Sequence, residues 1–405
     1  SVAQFNFTPS GLSGAVLTNP TSIQFGPDGR LYVAQQNGII KIFTVVRNSA
    51  NSYSVTATET VSIINQIPNH NDDGTLNTSV TTRQITGILV AGTAAQPLIY
   101  VSSSDSRIGG GSSGADVNLD TNSGILSLLT RSGSSWTKVD LVRGLPRSEE
   151  NHSPNGMQLD AQTNTLYLAI GGITNAGSPS NNFGFTCEYA LSAAILSINL
   201  NAINAMPTQG SGNTAFKYDL PTVDDPTRTN SGSADVNDPF GGNDGLNQAK
   251  IVAGGPVQIF SPGYRNAYDL VITKPPGKAG RIYTIDNGAN PGWGGYPQNE
   301  GTPNVTNNYV SGEPGSTGPG VNEAQVNNLD GLHYIGTLGS YVPGSYYGGH
   351  PNPIRANPSG AGLYTRTGTP GIFRTQTTGT NPLPADWPPV ATANPIEGDF
   401  QMPGS

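Results

Sequence analysis

The sequence predicts an all-β protein, and within that class a β-propeller of four-stranded antiparallel blades with long loop insertions. Three observations carry the prediction. Of 405 residues, 53 are Gly and 32 are Pro, a density of backbone punctuators that leaves little room for long helices. Short apolar runs with partial period-two alternation are separated by turn clusters, the pattern of half-buried strands. A turn followed by Leu-Tyr or Ile-Tyr recurs in "GRLYVA", "PLIYVS", "NTLYLA" and "GRIYTI". Repetition of that kind, at blade-sized intervals or multiples of them, belongs to propellers and is not required by a β-sandwich or parallel β-helix.

The strands are read in order. A first unit runs through Ser22 to Phe25, the turn Gly26-Pro27-Asp28-Gly29, Arg30 to Gln35, the tight turn Asn37-Gly38, and Ile39 to Val46. Asn-Gly between apolar runs is a strong hairpin signal. A second unit comprises Gln84 to Val90, Pro97 to Ser102, Gly124 to Thr130 and an outer strand Ser135 to Val142. A third comprises Gly156 to Asp160, Leu166 to Gly171 and Ala193 to Leu200. A fourth begins at Val257 to Phe260 and continues through Tyr268 to Thr273 and Gly280 to Asp286. The stretches from Pro207 to Asn247 and from Gly294 to Gly398 are rich in Gly, Pro and Asn and poorly periodic, and are read as long loops. About four blades are thus recognisable in a single domain spanning the chain. A ring left unfinished at its C-terminal side would expose a sheet edge to a second copy or a partner chain.

Composition excludes several classes of function. Charged residues make up 11% of the chain and the net charge is -8, with no basic cluster to serve as the footprint of a nucleic-acid binder. No run approaches the roughly 18 apolar residues of a membrane span. One cysteine, Cys187, rules out an internal disulfide framework or a multi-cysteine metal site, and reads as a small buried filler. The chain begins at Ser1 and carries N-x-S/T sequons at Asn6, Asn77, Asn151 and Asn304, which together suggest a processed, secreted protein, extracellular or periplasmic.

One segment carries its own argument for a metal. Asp116, Asn118, Asp120 and Asn122 stand at alternate positions ahead of Ser123-Gly124, a spacing that lets a tight loop turn several hard oxygen ligands inward, as calcium needs. Gly at the sixth position and Glu at the twelfth, which an EF-hand requires, are missing, and Asn/Asp turns also form for conformational reasons alone. Two lesser oxygen-rich clusters are Asp235, Asn237, Asp238, Asn243 and Asp244, and the pair Asp72 and Asp73.

The segments "PTSIQFGPDGRLYVAQQNGIIKIF", "NHSPNGMQLDAQTNTLYLAIGG", "SPGYRNAYDLVIT" and "IYTIDNGANPGWGG", in that order over roughly residues 10 to 300, resemble the glucose/sorbosone dehydrogenase family of soluble quinoprotein sugar dehydrogenases. The resemblance implies a six-bladed propeller with pyrroloquinoline quinone (PQQ) and calcium in a mouth at one end of its axis. It also implies that His152 takes the proton of a sugar hydroxyl, that Arg265 and Asn266 contact quinone or substrate, and that Asp286 belongs to the polar cluster nearby. An imidazole is chemically suited to that task. Trp293 walls the mouth or packs a blade corner. The chain departs from the family after Arg281, where the basic residues are reduced to Arg355, Arg366 and Arg374 with no Lys, and at "TRQITGI", Thr82 to Ile88, where an acidic residue is lost.

Three functions follow. The first is oxidation of a sugar or related alcohol with PQQ and calcium. The second is a non-catalytic extracellular propeller, adhesive, matrix or filament-forming, since a shared fold does not guarantee a shared activity. The third is carbohydrate binding without a quinone. His333 and His350, beside Tyr334, Tyr346 and Tyr347, are candidates for a metal or sugar contact in the tail, or for a loop packed by its own aromatics.

Overall fold

The computed structural model describes residues 7–175, 181–184, 186, 188–222, 239–242, 245, 247–290, 293, 330–350, 363–365 and 372–374. The first sheet contains β1 (Leu12–Ser13), β2 (Pro20–Phe25), β3 (Leu31–Gln35), β4 (Ile40–Ser49) and β5 (Ser52–Val61), in the order β1-β5-β4-β3-β2. Its turns form where expected: Gly29 and Gly38 take positive φ, 75° and 81°, a conformation open to glycine because it lacks a Cβ. A small hairpin, β6 (Asn69–His70) and β7 (Leu76–Asn77), precedes the second sheet. That sheet consists of β8 (Arg83–Gly92), β9 (Pro97–Asp105), β10 (Gly124–Ser132) and β11 (Ser135–Leu145).

The third sheet begins with β12 (Pro154–Asp160), β13 (Thr165–Ile170) and β14 (Ala194–Asn199), the last leading directly into α1 (Leu200–Ala205), whose first turn is capped by the Asn199 side chain. Next come β15 (Phe216–Asp219), which returns to pair parallel with β11 of the second sheet, and β16 (Val257–Pro262), which pairs antiparallel with β14. The fourth sheet contains β17 (Ala267–Ile272), β18 (Arg281–Asp286) and β19 (Gly331–Thr337), and a separate pair β20 (Leu363–Thr365) and β21 (Ile372–Arg374) follows.

Four sheets therefore form a four-blade propeller arrangement with little helix. Three expectations need correction. Val257–Pro262 does not open the fourth blade but closes the third, pairing Ile198 with Val257 and Leu196 with Ile259. Phe216–Asp219 and Gly331–Thr337, read as parts of long loops, are strands of the second and fourth blades. The six blades implied by the resemblance become four among the described residues.

Side-chain hydrogen bonds tie the inner strands into a circuit around the axis. The Gln24 amide pairs with Val90, donating to its carbonyl and accepting from its N–H, both at 2.8 Å, which joins β2 to β8. Gln84 Nε2 donates to Asn151 O at 3.2 Å, and Ser102 Oγ donates to Asn155 O at 2.7 Å, joining the second blade to the segment at β12. Asn155 Nδ2 donates to Ala267 O at 2.9 Å, joining β12 to β17. Tyr268 Oη completes the circuit by donating to Thr21 O of β2 at 2.9 Å. Apolar clusters lie between blades: Tyr32, Ile40 and Ile42 of the first meet Ile85, Val90 and Ile99 of the second. Leu126 and Leu141 of the second meet Leu166, Leu168 and Leu196 of the third. Tyr167 and Ile195 of the third meet Leu270 and Ile282 of the fourth.

Because one hydroxyl closes the ring, Tyr268→Phe is expected to cost about 1 kcal/mol, read as a lower urea midpoint with an unchanged denaturant slope. An unshifted midpoint would mean that packing alone closes the ring. Among the described residues, no helix is long and apolar enough to cross a membrane.

Candidate functional site

The inner strands bring amides and hydroxyls to one end of the axis. Gln36, Gln84, Asn151, Asn155, Asn266 and Asn287 line a cavity of about 490 Å³, with Thr21 and Thr86 adding hydroxyls and Tyr268 and Ile285 adding apolar surface. Among the described residues, the lining carries no Lys, Arg, Asp or Glu side chain. Such a wall donates and accepts hydrogen bonds in roughly equal measure, which suits an uncharged polyhydroxylated ligand.

Of the residues singled out by the resemblance, Asn266 lines this cavity and His152 follows Asn151 of its wall. His152 stands just before β12 and is 5% exposed. Its Nδ1 lies 2.9 Å from Gly172 O, and a carbonyl can only accept, so Nδ1 carries the proton and Nε2 keeps its lone pair. Burial, and then the charge of Arg265, hold the imidazole well below its ordinary pKa, so it is neutral at physiological pH. Phe183 packs edge-on against the ring with centroids 5.1 Å apart, and Trp293 packs on Phe183 in turn, at 6.1 Å. Packing is thus the contact that Trp293 makes.

Arg265 and Asn266 precede β17, and both of their backbone N–H groups donate to the Asp286 carboxylate, at 3.1 and 2.7 Å. Burial pushes the Asp286 carboxyl up, with these two donors opposing it. Arg265 is 6% exposed, and its Nε donates to Asn175 Oδ1 at 2.9 Å. Burial lowers its pKa against the charges of Asp286, Glu150 and Glu188. The Asn266 side chain accepts from Asn155 Nδ2 at 2.9 Å and donates to Asn287 at 3.1 Å, and so belongs to the cavity wall. His152, Arg265, Asn266 and Asp286 are therefore gathered at one end of the ring, with Asn266 on the cavity surface.

Sequence reasoning missed the centre of the buried layer. Glu188 is fully buried and accepts from Ile173 N, Thr174 N, Thr174 Oγ1, Ser192 Oγ and His350 Nε2, the last at 2.8 Å. Burial works to raise its pKa, but the hydrogen bond and charge of His350 and the donors from Ser192 and Ile173 outweigh it and hold the carboxyl at about 2. His350 thus fastens the tail to the third blade, while His333 bonds Tyr346 Oη at 2.8 Å and packs on Tyr264, a loop packed by its own aromatics. A lone Glu and a lone His 162 positions apart leave no local signal to find them by.

The four candidate metal ligands are not gathered together. Asp116 and Asn118 are exposed and form a turn in which Asp116 Oδ1 accepts from Asn118 N at 2.6 Å, with Asn118 at a φ of 57°. Asp120 and Asn122 are buried, 1% and 0% exposed. Asp72 is buried beside them, accepting from Thr121 Oγ1 at 3.1 Å, whereas Asp73 caps its own turn through Thr75. Among the described residues, no group of three or more His, Cys, Asp or Glu side chains is placed to hold a metal ion. Asp235, Asn237, Asp238, Asn243, Asp244 and Cys187 lie outside the described residues.

PQQ is a flat tricarboxylate, and its binding calls for several cations. The described part of the wall offers none, and Arg265 already serves Asn175 and faces the negative charges of Asp286, Glu150 and Glu188. The described residues meet a polyol better than a tricarboxylate, and do not by themselves fit PQQ.

Fold and site together define a propeller ring with an amide-lined axial cavity and a buried charged layer. No family model matches the chain, and no curated protein matches it. Among solved structures, it is similar to a Trichoderma reesei carbohydrate-active enzyme of family AA12, at 15% identity and a TM-score of 0.43, over 84% of this chain and 57% of that one. It is also similar to the PQQ domain of a pyranose dehydrogenase from Coprinopsis cinerea, at 15% identity and a TM-score of 0.42, over 84% and 55%. A third is a glucose dehydrogenase, at 16% identity and a TM-score of 0.31, over 75% and 71%. The chain spans little more than half the length of the first two.

Proposed function

We propose that this chain is a sugar-dehydrogenase-like propeller, secreted or periplasmic, that takes a sugar or small polyol into its axial cavity and uses His152 as proton acceptor for one of the ligand's hydroxyls. The observation that carries the reading is the pairing of a cavity of about 490 Å³, lined among the described residues by amides and hydroxyls, with a neutral imidazole on the residue that follows Asn151 of its wall, its Nδ1 held by Gly172 O. Asn155 and Asn266, bonded to each other, orient the ligand. His152 Nε2 takes the hydroxyl proton as the carbinol carbon gives up hydride to a two-electron acceptor, the dye in the assay below, and becomes a carbonyl; the Glu188 carboxylate is the nearby countercharge of the imidazolium. The charge of Arg265 opposes the imidazolium. The described part of the wall carries no cation to meet the carboxylates of PQQ.

The test is calorimetry with a panel of aldoses and polyols, followed by dye-linked oxidation with and without added PQQ and calcium. At least one neutral sugar should bind, with affinity falling about tenfold in Asn155→Ala, since a lost hydrogen-bonding partner in a cavity costs about 1–2 kcal/mol. Any turnover should disappear in His152→Gln while binding persists. A folded chain that binds no sugar or polyol overturns the reading.

A further inference from the structure

We propose that Asp120, Asn122 and Asn247 form a calcium-type cation site that staples the chain at Gly241 and Asn247 to the second blade, apart from the axial cavity. Three buried side-chain oxygens carry the argument. Asp120 Oδ2, Asn122 Oδ1 and Asn247 Oδ1 have no hydrogen-bond partner, in residues that are 1%, 0% and 0% exposed. Buried acceptors left unpaired are rare and costly, and each calls for an explanation.

All three residues converge on one backbone unit. Gly241 N donates to Asp120 Oδ1 at 2.7 Å, and Gly241 O accepts from Asn122 Nδ2 at 3.3 Å and from Asn247 Nδ2 at 2.8 Å. Asp120 Oδ1 also accepts from Asn122 N at 2.7 Å. These bonds fix which way the amides face: Asn122 Nδ2 also meets Asn247 O, and Asn247 Nδ2 also meets Phe240 O. Turning either amide over would set oxygen against oxygen, so the unpaired atoms of these three residues are all oxygens.

A surplus of acceptors is met by a donor or a cation. One water donates two hydrogen bonds and cannot satisfy three oxygens, whereas a hard cation accepts carboxylate, amide and carbonyl oxygens together. Arg83 is a nearby side-chain cation; its Nη atoms donate to Asn69 Oδ1 at 2.9 Å and Ser123 O at 2.6 Å, and its Nε, a buried donor, bonds none of these three oxygens. Asp72, which accepts from Thr121 Oγ1 and from Gly242 N at 3.1 and 3.2 Å, places a second carboxylate beside Asp120, so the local charge suits a divalent ion. The site joins residues more than a hundred positions apart, the span a structural ion stabilises most by closing a long loop.

The experiment uses the full chain, stripped with chelator and without PQQ, titrated with calcium chloride by calorimetry and followed by thermal melting. One calcium should bind per chain, and the melting temperature should rise by about 3 °C or more at a hundredfold excess over the dissociation constant. Asp120→Asn should weaken binding at least tenfold and remove the shift. Asn122→Asp, which adds charge at the same place, should tighten binding and provides a second reading if Asp120→Asn fails to fold. Asp116→Asn, in the exposed turn, should respond as the wild type does. Absence of saturable calcium binding in the folded, stripped chain overturns the proposal, as does an unchanged response in Asp120→Asn or loss of the response in Asp116→Asn. Sugar binding in the axial cavity is untouched by any of these outcomes.

Discussion

Glu188→Ala is expected to be the most destabilising substitution of a charged residue at the site, by about 3 kcal/mol or more, since each buried donor left without its acceptor costs about 1–3 kcal/mol. The carboxylate gathers the Ile173 and Thr174 amides, two hydroxyls and His350; alanine strips a shared acceptor from all of them at once. Urea unfolding gives the size of the loss, and limited proteolysis locates it, because cutting in residues 341–350 should speed up once His350 loses its anchor. The same residue sets an acid limb. Its folded pKa of about 2 lies below the ordinary carboxylate value, so its contribution is fully present above pH 4.5 and is lost as pH falls toward 2. His152, also depressed in the folded state, adds a loss that begins as pH falls through 6.5. Stability should therefore decline in two stages on acidification, and Glu188→Gln should flatten the lower one. A variant as stable as the wild type at pH 7, with an unchanged acid limb, would show that the buried layer is not held by this carboxylate.

The second large effect is expected at Gly87, on the inner strand β8. A Cβ there would lie 2.0 Å from Asn155 O and 2.7 Å from Ser102 Oγ. The first contact is backbone against backbone, which no rotamer change relieves. Gly87→Ala should cost about 3 kcal/mol, the upper end of ordinary overpacking, by forcing β8 and β12 apart at the axis. Because Asn155 also lines the cavity, sugar affinity should fall along with stability. Gly133→Ala serves as the control: its φ of 61° strains a side chain, but nothing lies within 4 Å of its Cβ, so it should lose a smaller amount of stability and no affinity. Equal urea midpoints for the two variants would remove the close approach of the two strands as the cause.

Much of the architecture was legible because it is local. The strands β2 to β4 and β8 to β11 announce themselves through apolar runs and glycine turns that need nothing from elsewhere in the chain. Sheet membership is another matter. Val257–Pro262 has the pattern of a strand whichever blade it joins, and its pairing with β14 is decided by packing across more than fifty residues of insertion. Gly331–Thr337 has exposed Leu332 and Tyr334 within a Gly-rich stretch, so its alternation is too weak to read.

The site divides in the same way. His152, Arg265, Asn266 and Asp286 were found through motifs that resemble a family, and they do converge. Alternate spacing picked out Asp116 to Asn122 but could not tell the half that satisfies its own turn from the half that is buried. Asn247 and Glu188 are visible only once the chain has folded.

The uncharged wall of the axial cavity has a kinetic consequence. Charge in a binding cleft speeds encounter by drawing ligands along the field, and that help fades as salt is added. The neutral sugar proposed as ligand, approaching a wall of amides and hydroxyls, would gain nothing from such a field. Its capture is governed by diffusion and fit, and selectivity among sugars then resides in how slowly the matching one leaves.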